Sequence, residues 1–339
     1  MINLPMPPNP YNHRLMRTPF GIIVDLDIKG QIILNEQYKM YKIMIYERLN
    51  GDIGGYFRGE NDKYPTFMTS YQKLSNDIER CLGLLQKREF IDWFIKTPYY
   101  EYFAYGSEYA PNPETTPKGE GYKFCFDLEA IAQHYEFPTN YLDITTKRDV
   151  ALFFAYTHKV NGKLVPLENF NDIQPCLYSS FGSSLEHPYN LDVRVVGFQA
   201  LPRPLKQQAM AINLENCKTD YKKEMQYEEL PCDRRNAFRI YDKMEGGKLL
   251  MPDDWASRVA EQIKFKYENE RLIDTLIFEN YCHEFNQKPE ELIKSLANYG
   301  YALSDIHISV TDDARADMQN DIDKNIIPWI NEFVAEPTS

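Results

Sequence analysis

With 339 residues, 43% of them hydrophobic and 26% charged, the chain has a globular composition and is long enough for two domains or one large one. Its 38 basic and 50 acidic residues give a net charge of −12, which opposes loose binding along a polyphosphate backbone and makes nucleic acid an unsuitable partner. No apolar run approaches the roughly 20 residues of a membrane-spanning helix, so no membrane role is expected.

The first residues, MINLPMPPNPYNHRLMR, are rich in proline, lack the apolar block of a signal peptide and read as an extended arm. PFGIIVDLDIKGQIIL follows as a small hairpin turning at Lys29-Gly30. Tyr38, Tyr41, Ile45 and Leu49 recur at helical spacing and predict a helix over 36–49. Next come Gly54-Gly55 and a short YFRG strand. Alternation there puts Tyr56, Arg58 and Glu60 on one face and Phe57 on the other.

Residues 70–97 read as helical, with Leu74, Ile78, Leu82, Leu85, Phe90 and Phe94 on the apolar face. The tyrosine-dense stretch 99–111 has no accompanying lysine or arginine and reads as a packed aromatic loop rather than a base-stacking platform. Glycine, proline and threonine make 106–121 a loop. Asp127 is placed to cap a helix over DLEAIAQHYEF that ends before Pro138. Thr146 and Asp149 have capping-box spacing ahead of VALFFAYTH, whose apolar circumference marks a central helix.

Strands are predicted at 176–181 and 192–201, the latter ended by Pro202 and Pro204. Residues 216–247 are charged and irregular. Helices follow from Pro252-Asp-Asp, over KPEELIKSLANYG with Gly300 as its cap, and over 312–334. The expected class is α+β: a mixed small sheet with surrounding helices, followed by a mainly helical C-terminal part. Its divisions are an arm with hairpin (1–35), an α/β core (36–215), and a charged connector with helical region (216–339).

The six cysteines are scattered without a CxxC pair. That pattern predicts reduced thiols, a cytoplasmic setting and no structural metal. Neither a GxxxxGK phosphate loop nor an HExxH or GxSxG motif occurs.

Three segments stand apart: Phe57-Arg58-Gly59-Glu60, the run AQHYEFPTNYLDIT over 132–145, and Arg203 followed by Gln207-Gln208-Ala209. In order and combination, over roughly residues 50–215, they resemble the FRG domain, a family of bacterial proteins named for its F-R-G motif. Three positions depart from the family pattern. Glu136 and Ala209 stand where glycine is usual, and Ile144 stands where tryptophan is usual. YFRG also resembles the first motif of arginine-targeting ADP-ribosyltransferases, whose arginine holds the NAD phosphates. That second resemblance implies NAD as cofactor, with Thr139 or Thr145 as the bracing residue. Gln207 or Gln208 stands in the position of the final glutamate, and Glu60 is the nearest carboxylate substitute.

The residues therefore carry two readings. In the first, Arg58, Gln133, His134, Thr139, Asp143, Thr145 and Gln207 line a nucleotide pocket, with Glu60 and Gln208 as catalytic candidates. In the second, the chain is a binding or sensing module, for example in phage defence, with a protein target. Arg58 then pairs with Glu60 or Asp143, Gln133 and Asp143 satisfy one another, His134 is a structural histidine and Thr145 caps a helix.

Overall fold

The structure is a computed structural model. It describes residues 15–18, 21–25, 31–35, 40–44, 55–104, 123–124, 127–160, 162–181, 192–196, 201–215 and 220–326. In chain order its strands begin with Leu15–Thr18 (β1), Gly21–Asp25 (β2), Gln31–Asn35 (β3), Met40–Met44 (β4), Gly55–Glu60 (β5), Lys123–Phe124 (β6) and Tyr141–Thr145 (β7). They continue with Thr157–Val160 (β8), Lys163–Pro166 (β9), Cys176–Phe181 (β10), Asp192–Val195 (β11), Ala209–Asn213 (β12) and Gln226–Glu229 (β13). One sheet has the order β1-β2-β3-β4-β6, and a second, six-stranded, has the order β11-β12-β7-β5-β10-β13. Together with the surrounding helices these sheets make an α+β protein.

In the first sheet β2 and β3 pair antiparallel, as the hairpin reading requires, while the turn itself falls outside the described residues. The helix predicted over 36–49 does not form. Met40–Met44 is instead a strand paired antiparallel with β3. The neighbouring hairpin supplies a pairing edge that a periodicity count ignores.

The six-stranded sheet brings the three motifs side by side, because β5 lies between β7 and β10, and β12 lies on the far side of β7. Its two faces are sorted by strand alternation. Tyr56, Leu142, Ile144, Tyr178, Met210 and Ile212 share one apolar cluster, whereas Phe57 and Leu177 join the opposite one. That opposite cluster is built on the helix Arg148–Ala155, which buries Val150, Ala151, Phe153 and Ala155. This helix is as central as its apolar circumference predicts. Its expected capping box is absent: Lys147 is the N-cap, and no side chain bonds there. The Thr146 hydroxyl instead donates to Gln208 Oε1 at 2.8 Å.

The segment 216–247 is more regular than its charge suggested. Gln226–Glu229 adds the edge strand β13 to β10, and Arg234–Lys243 is a helix capped by Asp233, burying Ala237 and Ile240. The expected aromatic loop at 99–111 begins as the helix Pro98–Ala104, and the remainder falls outside the described residues. Tyr99 is buried there and donates to Asp321 at 2.7 Å.

The C-terminal helices pack on the rest of the chain. Val259, Ile263, Ile277 and Phe278 share one core cluster with Leu82, Leu85, Phe90 and Phe94 of the helix Asp77–Phe94. The helix Trp255–Phe265 starts in a capping box between Asp254 and Ser257. Gly300, beyond the helix Pro289–Ala297, adopts φ +83°, the left-handed geometry expected of it. The last predicted helix is present as Asp312–Asp321 with a π turn to Ile326. Its continuation falls outside the described residues. Among the described residues no helix is long and apolar enough to cross a membrane.

Candidate functional site

Arg58 stands on β5 between Phe57 and Gly59, and both neighbours have a packing reason. A Cβ added at Gly59 would lie 1.8 Å from the carbonyl oxygen of Ala151 and 2.8 Å from the Ala155 nitrogen. The glycine therefore admits the backbone of the helix Arg148–Ala155 rather than a ligand. Phe57 seals the same face.

The arginine itself fills a break in the sheet. Strands β5 and β7 pair only at Phe57 and Thr145, although continued antiparallel register would bring Gly59 opposite Asp143. There the Arg58 Nη1 donates to the Asp143 main-chain carbonyl at 2.8 Å, replacing the missing ladder bond. Its Nε donates to Glu60 Oε1 at 3.2 Å, and the guanidinium lies 5.3 Å from the centre of the Phe67 ring. The side chain is 18% exposed. Glu60 is buried and also receives Lys222 Nζ at 2.7 Å, so two cations neutralise it.

A cavity of about 230 Å³ opens where the two strands part. Arg58, His134, Asp143, Thr145 and Gln207, drawn from all three motifs, line it. Apolar walls come from Phe57, Ile144, Val150 and Phe154. The remaining sequence candidates lie elsewhere. Glu60 and Gln208 do not line the cavity: the former sits between Arg58 and Lys222, and the latter accepts from Thr146. Thr139 is buried, donates to Gln133 Oε1, and accepts the Tyr141 amide at 3.1 Å, which ties its loop to Ser70 and β7. Gln133 is one step behind the cavity and donates to Asp143 Oδ2 at 3.2 Å. Thr145 is not the cap of the helix Arg148–Ala155, whose N-cap is Lys147. Thr145 donates to the Gln207 carbonyl at 2.7 Å and accepts the Lys147 amide at 3.0 Å.

His134 is a buried titratable group of the cavity wall. Its side chain is 4% exposed, its Nδ1 meets Gln207 Oε1 at 3.0 Å, and its Nε2 lies 3.6 Å from Asp143 Oδ1. Burial pushes its pKa down, and Arg203 adds to this, while Asp143 and Gln207 pull the other way. The net shift is downward, so the ring is neutral at pH 7. Lys73 is a member of this electrostatic group that the motifs did not mark. Desolvation and the charge of Arg58 lower its pKa, against Glu60 and Asp143. Its signal in the sequence is nil, because a lysine before a helix is ordinarily a solvated charge.

Behind the cavity, Glu136 explains one departure from the motif pattern. Its φ of +70° is the geometry that favours glycine. Lys159, Lys264 and Arg203 hold its carboxylate at 2.5, 3.1 and 3.2 Å. Burial alone would raise its pKa, but these cations bring it down to about 2. Arg203, the arginine of the third motif, thus serves Glu136 and lies 5.5 Å from the Tyr135 ring centre. Ala209, the other residue standing where glycine is usual, is buried in β12 opposite Thr145 and lines the cavity. Among the described residues no cluster of His, Cys, Asp and Glu has a metal-binding arrangement. Cys81, Cys176, Cys232 and Cys282 carry free thiols.

Residues 54–163 match the family model of the FRG domain. The chain contains an FRG domain. No curated protein matches the chain, and no solved structure does. The FRG match ends before β10, β12 and Gln207, although β5 is flanked by β10 and the cavity is closed by Gln207. The FRG segment thus relies on later residues to complete both its sheet and its cavity.

Proposed function

We propose that the cavity at the parted strands binds the phosphorylated end of a nucleotide, with NAD as the intended dinucleotide in an ADP-ribosyltransferase-like reaction. The observation that carries this reading is the convergence of Arg58, His134, Asp143, Thr145 and Gln207, from three separated motifs, on one cavity. The Arg58 guanidinium, whose Nη2 has no hydrogen bond among the described residues, suits a phosphate oxygen. At about 230 Å³ the space is below the roughly 300–1,000 Å³ of pockets that enclose a whole ligand, so one end of a dinucleotide enters and the other lies outside. In such a transfer the bond from ribose to nicotinamide breaks and the ribose carries developing positive charge. Asp143, the carboxylate that lines the cavity, is the group suited to stabilise it. Glu60 is not, because Arg58 and Lys222 already neutralise it.

A second reading is favoured by a different observation: Arg58 is already bonded to Glu60 and to the Asp143 carbonyl. Under it the motif is a structural polar core, and the protein is a non-enzymatic binding or sensing module, in phage defence for instance, with a protein target. Calorimetry with NAD, ADP-ribose and AMP against the wild type and Arg58→Ala separates the two. The nucleotide reading expects binding that the folded variant loses by tenfold or more, on the order of one charge-assisted hydrogen bond. Absence of binding, or equal binding by a folded Arg58→Ala, ends that reading. The structural reading expects Arg58→Ala to lose about 1–3 kcal/mol of stability, because the Asp143 carbonyl is left without its donor.

A further inference from the structure

The hydrogen bonds behind His134 fix what its free nitrogen can do. The Leu250 main-chain carbonyl can only accept, and it receives Gln207 Nε2 at 3.1 Å. The Gln207 amide is thereby oriented with Oε1 toward His134 Nδ1, 3.0 Å away. An amide oxygen also only accepts, so Nδ1 carries the imidazole hydrogen. In the neutral ring Nε2 is then a bare lone pair. Opposite it, at 3.6 Å, stands Asp143 Oδ1. Neither atom has a hydrogen-bond partner among the described residues, and both are buried. Two acceptors facing one another in a buried place repel and remain unsatisfied.

Two things could resolve this. A proton on Nε2 would make an imidazolium, which burial disfavours more than the facing Asp143 carboxylate favours it, with Arg203 adding to the cost. A ligand that brings hydrogen-bond donors satisfies both atoms at no such cost. Resting on the nucleotide reading above, we infer that the His134 Nε2 and Asp143 Oδ1 pair recognises vicinal hydroxyls of a phosphorylated sugar. The match is one of count and spacing: two adjacent acceptors for two adjacent donors, in a cavity that Arg58 also lines. A ligand offering acceptors there would be rejected, since it would add a third lone pair to an already unsatisfied pair.

The test uses the full-length wild-type chain in two measurements. Long-range ¹⁵N–¹H correlation of the imidazole nitrogens at pH 7 reads the tautomer of His134. Calorimetry compares AMP with 2′,3′-dideoxy-AMP, which has the same phosphate and base without the diol. The expected result is an Nδ1–H tautomer, with AMP bound at least about tenfold more tightly than its dideoxy analogue, as for two hydrogen bonds to otherwise unsatisfied groups. An Nε2–H tautomer or an imidazolium overturns the inference whatever binds. An Nδ1–H tautomer with both nucleotides bound equally also overturns it, yet leaves the nucleotide reading intact. Binding of neither nucleotide overturns the inference, and failure of NAD and ADP-ribose to bind as well overturns the nucleotide reading with it.

Discussion

Single residues decide the geometry around the cavity, and two of them make sharp predictions. Gly59 faces main-chain atoms of the helix Arg148–Ala155, which cannot rotate away as a flexible side chain would. Gly59→Ala is therefore expected to cost on the order of 3 kcal/mol or more, seen as a lower urea midpoint; a near-neutral result would mean that the helix can move off the strand. Glu136 titrates at about 2, below its ordinary 4.5. A depressed carboxylate contributes stability that is full above pH 4.5 and lost as the pH falls toward 2. Because the side chain is 36% exposed, solvent screening reduces the contribution to about 1–2 kcal/mol. Glu136→Gln should lower stability by that amount at pH 7 and by only a small remainder at pH 2, where the carboxylate is half protonated, measured by urea unfolding at both values.

At the scale of elements, the caps and strand pairings place the site more than propensity does. Asp254 closes the capping box of the helix Trp255–Phe265 and also accepts the Tyr135 hydroxyl at 2.9 Å, joining this helix to the QHY motif. Asp254→Ala should cost about 2–3 kcal/mol, one cap plus one buried hydroxyl left alone, whereas Asp254→Asn should retain most of the cap. Thermal unfolding of the two variants makes the comparison. The single pairing of β5 with β7 has the larger consequence. A fully zipped pair would close the space where the cavity stands, and the Arg58 bond to the Asp143 carbonyl keeps the strands apart without leaving that oxygen unsatisfied.

At the scale of the molecule, the C-terminal helices and the helix Asp77–Phe94 make one core. A buried ion pair crosses it: Lys266 Nζ donates to Glu89 Oε1 at 2.8 Å and to the Ile306 carbonyl at 3.0 Å, with both side chains at most 5% exposed. Lys266→Met alone strands a buried carboxylate and should destabilise by about 3–5 kcal/mol. The double change with Glu89→Leu should recover much of this, since burial of the pair is itself costly. A double change as damaging as the single one in chemical denaturation would show that the pair contributes net stability.

The sequence by itself determined the elements whose signals are local. Alternation placed Tyr56 and Arg58 on the face opposite Phe57, Asp127 and Asp254 marked helix starts, and the three motifs named most of the residues that line the cavity. Local signals also misled. MYKIM joined a strand because β3 offered an edge, and the Thr146 hydroxyl donates to Gln208, 62 residues away in sequence, while Lys147 is the N-cap. Glu60 shares a strand face with Arg58 by spacing alone, but only the fold brings Lys222 to the same carboxylate. The tautomer of His134 depends on the Leu250 carbonyl, and the parting of β5 from β7 depends on the packing of both strands. Such contacts join groups far apart in the chain, and spacing carries no information about them. Tertiary structure alone decided which motif residues face the cavity and which are spent in holding it open.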